Sequence, residues 1–420
     1  MPEKFPTANG SRHLWTSSTS LRFHKMSAGF FIVLSLIFIL LTETPCPARA
    51  PIPCLRKIPA SAGLLVMDGA GNILAKQHTN DKFVPASTLK ILTALAALHF
   101  LGPKYRFRTE FFLTPARDLV VKGYGDPYLI SEVWQDIAGR VAEKLHSFEN
   151  LLLDDTYFAP GISIPGQSRS TNPYDAPPGA LCANFNTVFF TRDARGRILS
   201  AEPQTPMIPF ARGKIMALGE KSGRYTFSHD RGQALLYAGE LFSFFLEKRG
   251  GMRKGSIRPG ARKPQDQLIY TYFSKSTLED IIKKMFAFSN NFVANQLLLS
   301  AGAAVYGAPA TLQNGVRALL DYARNNLGLK DLEIVEGSGI SRKNRISPED
   351  MLEVLHRFRP YRHLLPQEGP FLYKTGTLKG IRTRAGYIEK KNGKTGYIVL
   401  FLKNDHPDAD DLMRYLERLF

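Results

Sequence analysis

Strand-like segments stand at opposite ends of this chain, and that separation limits its folds more than any other feature. Residues 62–68 read as a strand, Gly69-Ala70-Gly71-Asn72 as a turn and residues 73–76 as the returning strand. Near the C-terminus, residues 369–374, 382–390 and 395–402 read as strands, with Asn392-Gly393 as a hairpin turn and a helix from about Asp410 to Phe420. Helical periodicity fills residues 277–299 and 310–327, and a further helix starts at Ser347-Pro348, where serine caps and proline takes the first turn. The simplest packing joins both ends into one antiparallel sheet covered by helices, an α+β arrangement.

A chain of 420 residues has room for two domains, or for one core with an insertion. Residues 111–270 change texture to short strands and glycine-proline turns, with one helix near residues 131–145, and read as an inserted β-rich domain. Residues 51–110 and 271–420 then form one discontinuous domain. Gly123-x-Gly125 lacks the third glycine and following helix of a nucleotide fingerprint.

Arg12, Arg22 and Lys25 precede an apolar run at residues 28–41 and the small-x-small pattern Ala48-Arg49-Ala50. Residues 1–50 therefore read as a secretory signal, or as an uncleaved anchor that would allow a peripheral membrane contact. The destination is periplasmic or extracytoplasmic. Cys46, Cys54 and Cys182 are too few for a disulfide framework; Cys54 and Cys182 could pair after export, but read more simply as two unpaired small apolar residues. The formal net charge of +18 suits a polyanionic partner without choosing one. No nucleic-acid signature and no metal or cofactor spacing is present. The denser basic run Met252-Arg253-Lys254-Gly255-Ser256-Ile257-Arg258 reads as a solvated loop.

Three short motifs carry the chemistry. In Pro85-Ala86-Ser87-Thr88-Leu89-Lys90, proline precedes a helix in which positions 87 and 90 share a face. Ser87 reads as a nucleophile and Lys90 as its base, provided that burial or a second cation lowers the amine's pKa. An N-cap serine beside a solvated lysine would give the same residues. Ser289-Asn290-Asn291 is a polar triplet inside an apolar helical stretch. Ser289 could carry a proton between Lys90 and a leaving amine while the Asn291 amide binds a substrate peptide group; a plain helix interruption also fits. Lys374-Thr375-Gly376-Thr377 ends a strand, where Lys374 with the Thr375 and Thr377 hydroxyls could hold a carboxylate and Gly376 admits close backbone approach. Ser170-Thr171-Asn172 and Lys394-Thr395-Gly396 repeat two of these patterns within turns and are set aside.

Together and in this order, the motifs resemble the active-site signature of the penicillin-recognising serine enzymes. Ser289 follows Ser87 by 202 positions, a gap that implies an insertion. Leu101-Gly102-Pro103-Lys104-Tyr105-Arg106-Phe107, Gly123-Tyr124-Gly125-Asp126-Pro127, Tyr174-Asp175-Ala176-Pro177-Pro178-Gly179 and the loop from Glu336 to Pro348 are similar to the D-alanyl-D-alanine carboxypeptidases and endopeptidases of low-molecular-mass penicillin-binding-protein class C. That resemblance implies a β-lactamase/DD-peptidase-like transpeptidase fold and acyl transfer through Ser87 on peptidoglycan stem peptides. It also implies an oxyanion hole from the Ser87 and Thr377 N–H groups, and inhibition by β-lactam antibiotics. Two departures stand out: a shortened stretch between Phe190 and Gln233, and the near absence of a segment between Pro366 and Lys374. A non-catalytic wall-binding or penicillin-sensing protein is the competing reading, with a β-lactamase behind it.

Overall fold

The computed structural model describes residues 58–389, 395–403 and 409–420. The Asn392-Gly393 turn, Lys394, Cys54 and the whole N-terminal leader lie outside the described residues.

Both ends of the chain meet in one sheet of six strands, ordered Gln367–Glu368, Phe371–Leu378, Ile381–Glu389, Thr395–Lys403, Gly63–Met67 and Ile73–Gln77. All neighbours are antiparallel. Alternation along Thr395–Lys403 shows how the sheet is covered. Tyr397, Val399 and Phe401 face the large helical core, while Ile398, Leu400 and Leu402 face the C-terminal helix Ala409–Leu416. Helix Lys90–Leu101 runs through the large core and is buried on every side from Lys90 to Leu98. Helix Pro348–Phe358 begins with the expected cap, Asp350 N–H donating to Ser347 Oγ at 3.0 Å. The helical stretch expected over residues 277–299 is instead two helices, Leu278–Ala287 and Asn291–Tyr306. Ser289 breaks it with a φ of +49°, and Asn290 caps the second by accepting from Val293 N–H at 3.1 Å.

Residues 108–273 build a second core on a five-stranded sheet ordered Ile257–Pro259, Leu151–Asp154, Leu119–Gly123, Arg108–Leu113 and Gln267–Phe273. The chain enters and leaves this region on neighbouring strands, with Arg108 opposite Phe273. Three α-helices lie here where one was expected: Ser131–Ala142, Pro209–Leu218 and Arg231–Lys248. Helix Arg231–Lys248 escapes periodicity because it is apolar on several sides, burying Leu235, Tyr237, Ala238, Leu241, Phe242 and Phe245. The basic run at residues 252–258 is also not a loop, since Met252–Arg253 and Ile257–Pro259 are strands. Phe185 and Phe292 join the two cores, their ring centroids 6.2 Å apart. Cys182 is buried, with its thiol on the Asp126 carbonyl at 3.3 Å.

Candidate active site

Ser87 lies in a single 3₁₀ turn, Ala86–Leu89, that runs directly into helix Lys90–Leu101. Ala86 has a φ of +48°, a conformation that costs an L-residue about 1–2 kcal/mol and persists only under external constraint. The constraint is visible. Thr88 Oγ1 and Thr383 Oγ1 both donate to the Pro85 carbonyl at 2.7 Å. Two glycines press on the turn: a Cβ on Gly339 would lie 1.8 Å from the Ala86 oxygen, and one on Gly376 would lie 2.9 Å from Ser87 N. The lysine strand and the loop after Glu336 therefore fix the direction in which Ser87 is displayed.

Lys90 is 0% exposed. Its Nζ lies 2.8 Å from Ser87 Oγ and donates to Asn291 Oδ1 and to the Ser338 carbonyl, both at 2.7 Å. All three partners are neutral oxygens. Burial, then the positive charge of Lys374, hold the Lys90 pKa well below the usual lysine value, while the Glu336 carboxylate opposes them. A neutral amine has two N–H bonds and one lone pair. Asn291 and Ser338 take both N–H groups, which leaves the lone pair for the Ser87 hydroxyl.

Glu336 organises the loop that supplies the Ser338 carbonyl. Its buried carboxylate accepts from Ser338 N–H and Ser338 Oγ at 2.6 Å, and from Gly339 N–H and Asn344 Nδ2 at 2.7 Å. Asn295, one turn beyond Asn291, donates to the same carboxylate at 3.3 Å and accepts from Gly337 N–H at 2.8 Å. Thr93, three positions after Lys90, donates to the Gly337 carbonyl at 2.7 Å. Two helices thus grip one loop.

Lys374 is 2% exposed, and burial followed by the Arg384 charge brings its pKa down to about 8. Its Nζ donates to the Thr375 carbonyl at 2.7 Å. The motif lies within strand Phe371–Leu378 rather than at its end. The outer neighbour pairs only with Phe371 and Leu372, so among the described residues Lys374 to Leu378 form a strand edge with no further strand beside it. Gly376 is buried against the nucleophile turn, and Thr375 and Thr377 are exposed. Ser289 is half-buried, and among the described residues its hydroxyl has no hydrogen-bond partner.

A cleft of about 640 Å³ opens at Ser87, lined by Asn291, Ile340, Arg342 and Thr377 and, from the insert, by Gly166 and Tyr174. The insert wall is stiffened by Asp175, which accepts from the Ser168 and Ser170 hydroxyls at 2.6 Å. Ser170-Thr171-Asn172 belongs to this wall, its serine turned onto Asp175. The Ser338 carbonyl, Asn295 and Thr93 were missed from sequence. A backbone carbonyl leaves no residue signature, but polar Asn295 and Thr93, one turn from Asn291 and Lys90 inside apolar helices, are a readable one.

The antiparallel sheet, the buried nucleophile helix and the lysine strand beside it define a protein of the penicillin-recognising, β-lactamase/DD-peptidase-like fold. The chain belongs to the D-Ala-D-Ala carboxypeptidase 3 (S13) family, serine hydrolases whose profile matches residues 57–215 and 216–360. It is 25% identical over 418 residues to a D-alanyl-D-alanine carboxypeptidase of Actinomadura sp. strain R39, covering 81% of this chain and 77% of that one. It is 23% identical over 399 residues to the D-alanyl-D-alanine carboxypeptidase DacB of Haemophilus influenzae, covering 79% and 82%. The crystal structure of penicillin binding protein 4 (dacB) from Haemophilus influenzae superposes with a TM-score of 0.71 at 21% identity, over 87% of this chain and 97% of that chain. That protein has also been crystallised with a β-lactam.

Proposed function

We propose that this chain removes the terminal D-alanine from peptidoglycan stem peptides through an ester on Ser87. The Ser87 hydroxyl gives its proton to Lys90 Nζ as Oγ bonds to the carbonyl carbon of the penultimate D-alanine. The N–H groups of Ser87 and Thr377 receive the oxyanion. The carbon–nitrogen bond then breaks, and the proton held on Lys90 passes through the Ser289 hydroxyl to the leaving amine. Water attacks the ester carbonyl as Lys90 takes its proton, and Lys90 returns that proton to Ser87 Oγ as the ester carbon–oxygen bond breaks. Lys374, with the Thr375 and Thr377 hydroxyls beside Gly376, holds the terminal carboxylate, and the Asn291 Nδ2 binds a substrate peptide carbonyl. Cleavage of D-alanyl cross-links uses the same steps.

The observation that carries this reading is the buried Lys90 amine 2.8 Å from Ser87 Oγ, with both its N–H groups committed to neutral oxygens. β-Lactams present a strained amide to the same centre and trap Ser87 as a slow ester. Residues 1–50 direct export to the periplasm or another extracytoplasmic space, and residues 111–270 act as an inserted domain that walls the cleft. The test is intact-protein mass after brief mixing with benzylpenicillin, with D-alanine release from a stem pentapeptide measured alongside. A single adduct mapping to Ser87 and its loss in Ser87→Ala, with an unchanged circular dichroism spectrum, are expected. A labelled Ser87→Ala protein would remove the nucleophile assignment, and folded wild-type protein that takes no adduct would leave a non-catalytic wall-binding protein.

A further inference from the structure

The sixteen residues from Lys248 to Lys263 contain seven lysines and arginines and no carboxylate. The fold turns this run into the rim of the insert. Met252–Arg253 pairs with Ser147–Phe148, and Ile257–Pro259 is the outermost strand of the five-stranded sheet. Backbone bonds pin it: Lys254 N–H to the Phe148 carbonyl at 3.1 Å, Gly255 N–H to that of Glu149 at 2.8 Å, and Gly260 N–H to that of Leu153 at 3.1 Å. The turn at exposed Arg117 joins the same rim, its carbonyl accepting from Glu149 N–H at 2.9 Å.

Elsewhere in the insert several cations are paired. Arg197 meets Asp193, Arg224 meets Glu202 and Arg231 meets Asp155, and just beyond its last strand Lys275 meets Asp136. Within the run, Lys254 alone makes a side-chain ion pair among the described residues, with Glu149 at 3.1 Å, while Arg262 and Lys263 meet Asp154 and Asp266 only through their backbone N–H groups. Arg249, Arg258 and Lys263 are exposed and make no ion pair among the described residues, and Met252 stands among these cations 60% exposed. Charge is a common device against edge-to-edge strand pairing, but that need does not account for this rim. The opposite edge of the same sheet, Gln267–Phe273, has the sequence QLIYTYF and carries no charge. The cleft takes no lining residue from the run, so it is not substrate-binding surface.

We propose that this rim docks the protein on an anionic phospholipid surface. The splayed cations meet headgroup phosphates, and Met252 enters the boundary between headgroups and acyl chains. The apolar side chain among the cations favours a lipid surface over an anionic glycan polymer. The absence of any aromatic residue from Lys248 to Lys263 removes the base-stacking platform that single-stranded nucleic acid needs.

The test is cosedimentation of the full chain with phosphatidylglycerol–phosphatidylcholine vesicles and with phosphatidylcholine vesicles. The readout is the ratio of the two affinities, because the apolar segment at residues 28–41 would partition into both. Reversing three exposed cations in the triple variant Arg249→Glu/Arg258→Glu/Lys263→Glu should cut that ratio about 100-fold. Met252→Asp should lower it further, and raised salt should erase the wild-type preference. Benzylpenicillin acylation of the triple variant should match wild type, which separates lost docking from lost folding and from failure of the proposed peptidase function. An unchanged ratio in a folded triple variant overturns the proposal. Wild-type protein that ignores both vesicles and instead loses binding to a soluble polyphosphate-type wall polymer on charge reversal also overturns it, in favour of the polymer.

Discussion

The nucleophile centre and the insert both bury cations, and they treat them in opposite ways. In the insert, Lys122 donates to the fully buried Asp154 at 2.9 Å, and Arg231 is tied to Asp155 and to the Asp155 and Phe158 carbonyls. Each of those cations faces a carboxylate. At the centre, Lys90 and Lys374 are buried deeper and touch only neutral oxygens, and each has its pKa pulled down. A buried cation with a carboxylate is part of the scaffold, whereas a buried amine without one becomes a base within reach of neutral pH.

The largest expected break in this contrast is Lys90→Ala, which removes the base and should slow benzylpenicillin acylation about 10³–10⁴-fold, read by intact mass against time. Lys90→Arg should not rescue it, because a guanidinium stays charged. Normal acylation in Lys90→Ala would take the lysine out of the base role.

Lys374 sharpens the contrast through pH. With its pKa at about 8 rather than the ordinary lysine value, it loses its charge as pH rises through 8, and with it the attraction for a substrate carboxylate. KM for a D-alanyl-D-alanine peptide should rise about tenfold per pH unit above that point, reaching roughly 100-fold by pH 10. A KM that stays flat to pH 10 would separate Lys374 from the carboxylate. The acid side belongs to Lys90, which must lose a proton to act.

Glu336→Gln tests that acid side with a smaller effect. The carboxylate raises the Lys90 pKa, so its neutralisation should move the acid limb of the acylation profile to lower pH. The rate at the optimum should fall about tenfold, because one side of the loop's hydrogen-bond hub is lost. A slower variant with an unmoved limb would mean that Glu336 only places the Ser338 carbonyl.

These distinctions were unequally legible in the sequence. The end-to-end sheet could be read because short apolar runs bounded by turns such as Gly69–Asn72 are local signals, and Ser347-Pro348 announced its helix in the same way. Ser87 and Lys90 could be paired because three-residue helical spacing fixes a shared face. Helix Arg231–Lys248 was invisible for the opposite reason, since burial on several sides removes the polar stripe that gives a helix its period. The Ser338 carbonyl and the Ala86 conformation are backbone properties that nearby side chains impose from loops far away in sequence. The single strand edge beside Ser87 depends on how far the outer strand pairs, which no residue pattern states.

The smallest effect on chemistry should come from the core of the insert. Phe242 is fully buried there, its ring 5.5 Å from those of Phe111 and Trp134, whereas the join with the catalytic core is marked by the Phe185–Phe292 ring pair. Phe242→Ala should cost about 3–5 kcal/mol of stability, measured by urea unfolding, while acylation of the remaining folded protein changes less than about twofold. The cleft takes from the insert only the wall near Gly166 and Tyr174, which Asp175 holds by its own bonds. A cavity under the five-stranded sheet loosens the scaffold, and it leaves the Lys90 amine at Ser87 where it was. If acylation falls in step with stability, the wall and the insert core are mechanically coupled, and the division drawn between scaffold and centre fails at that seam.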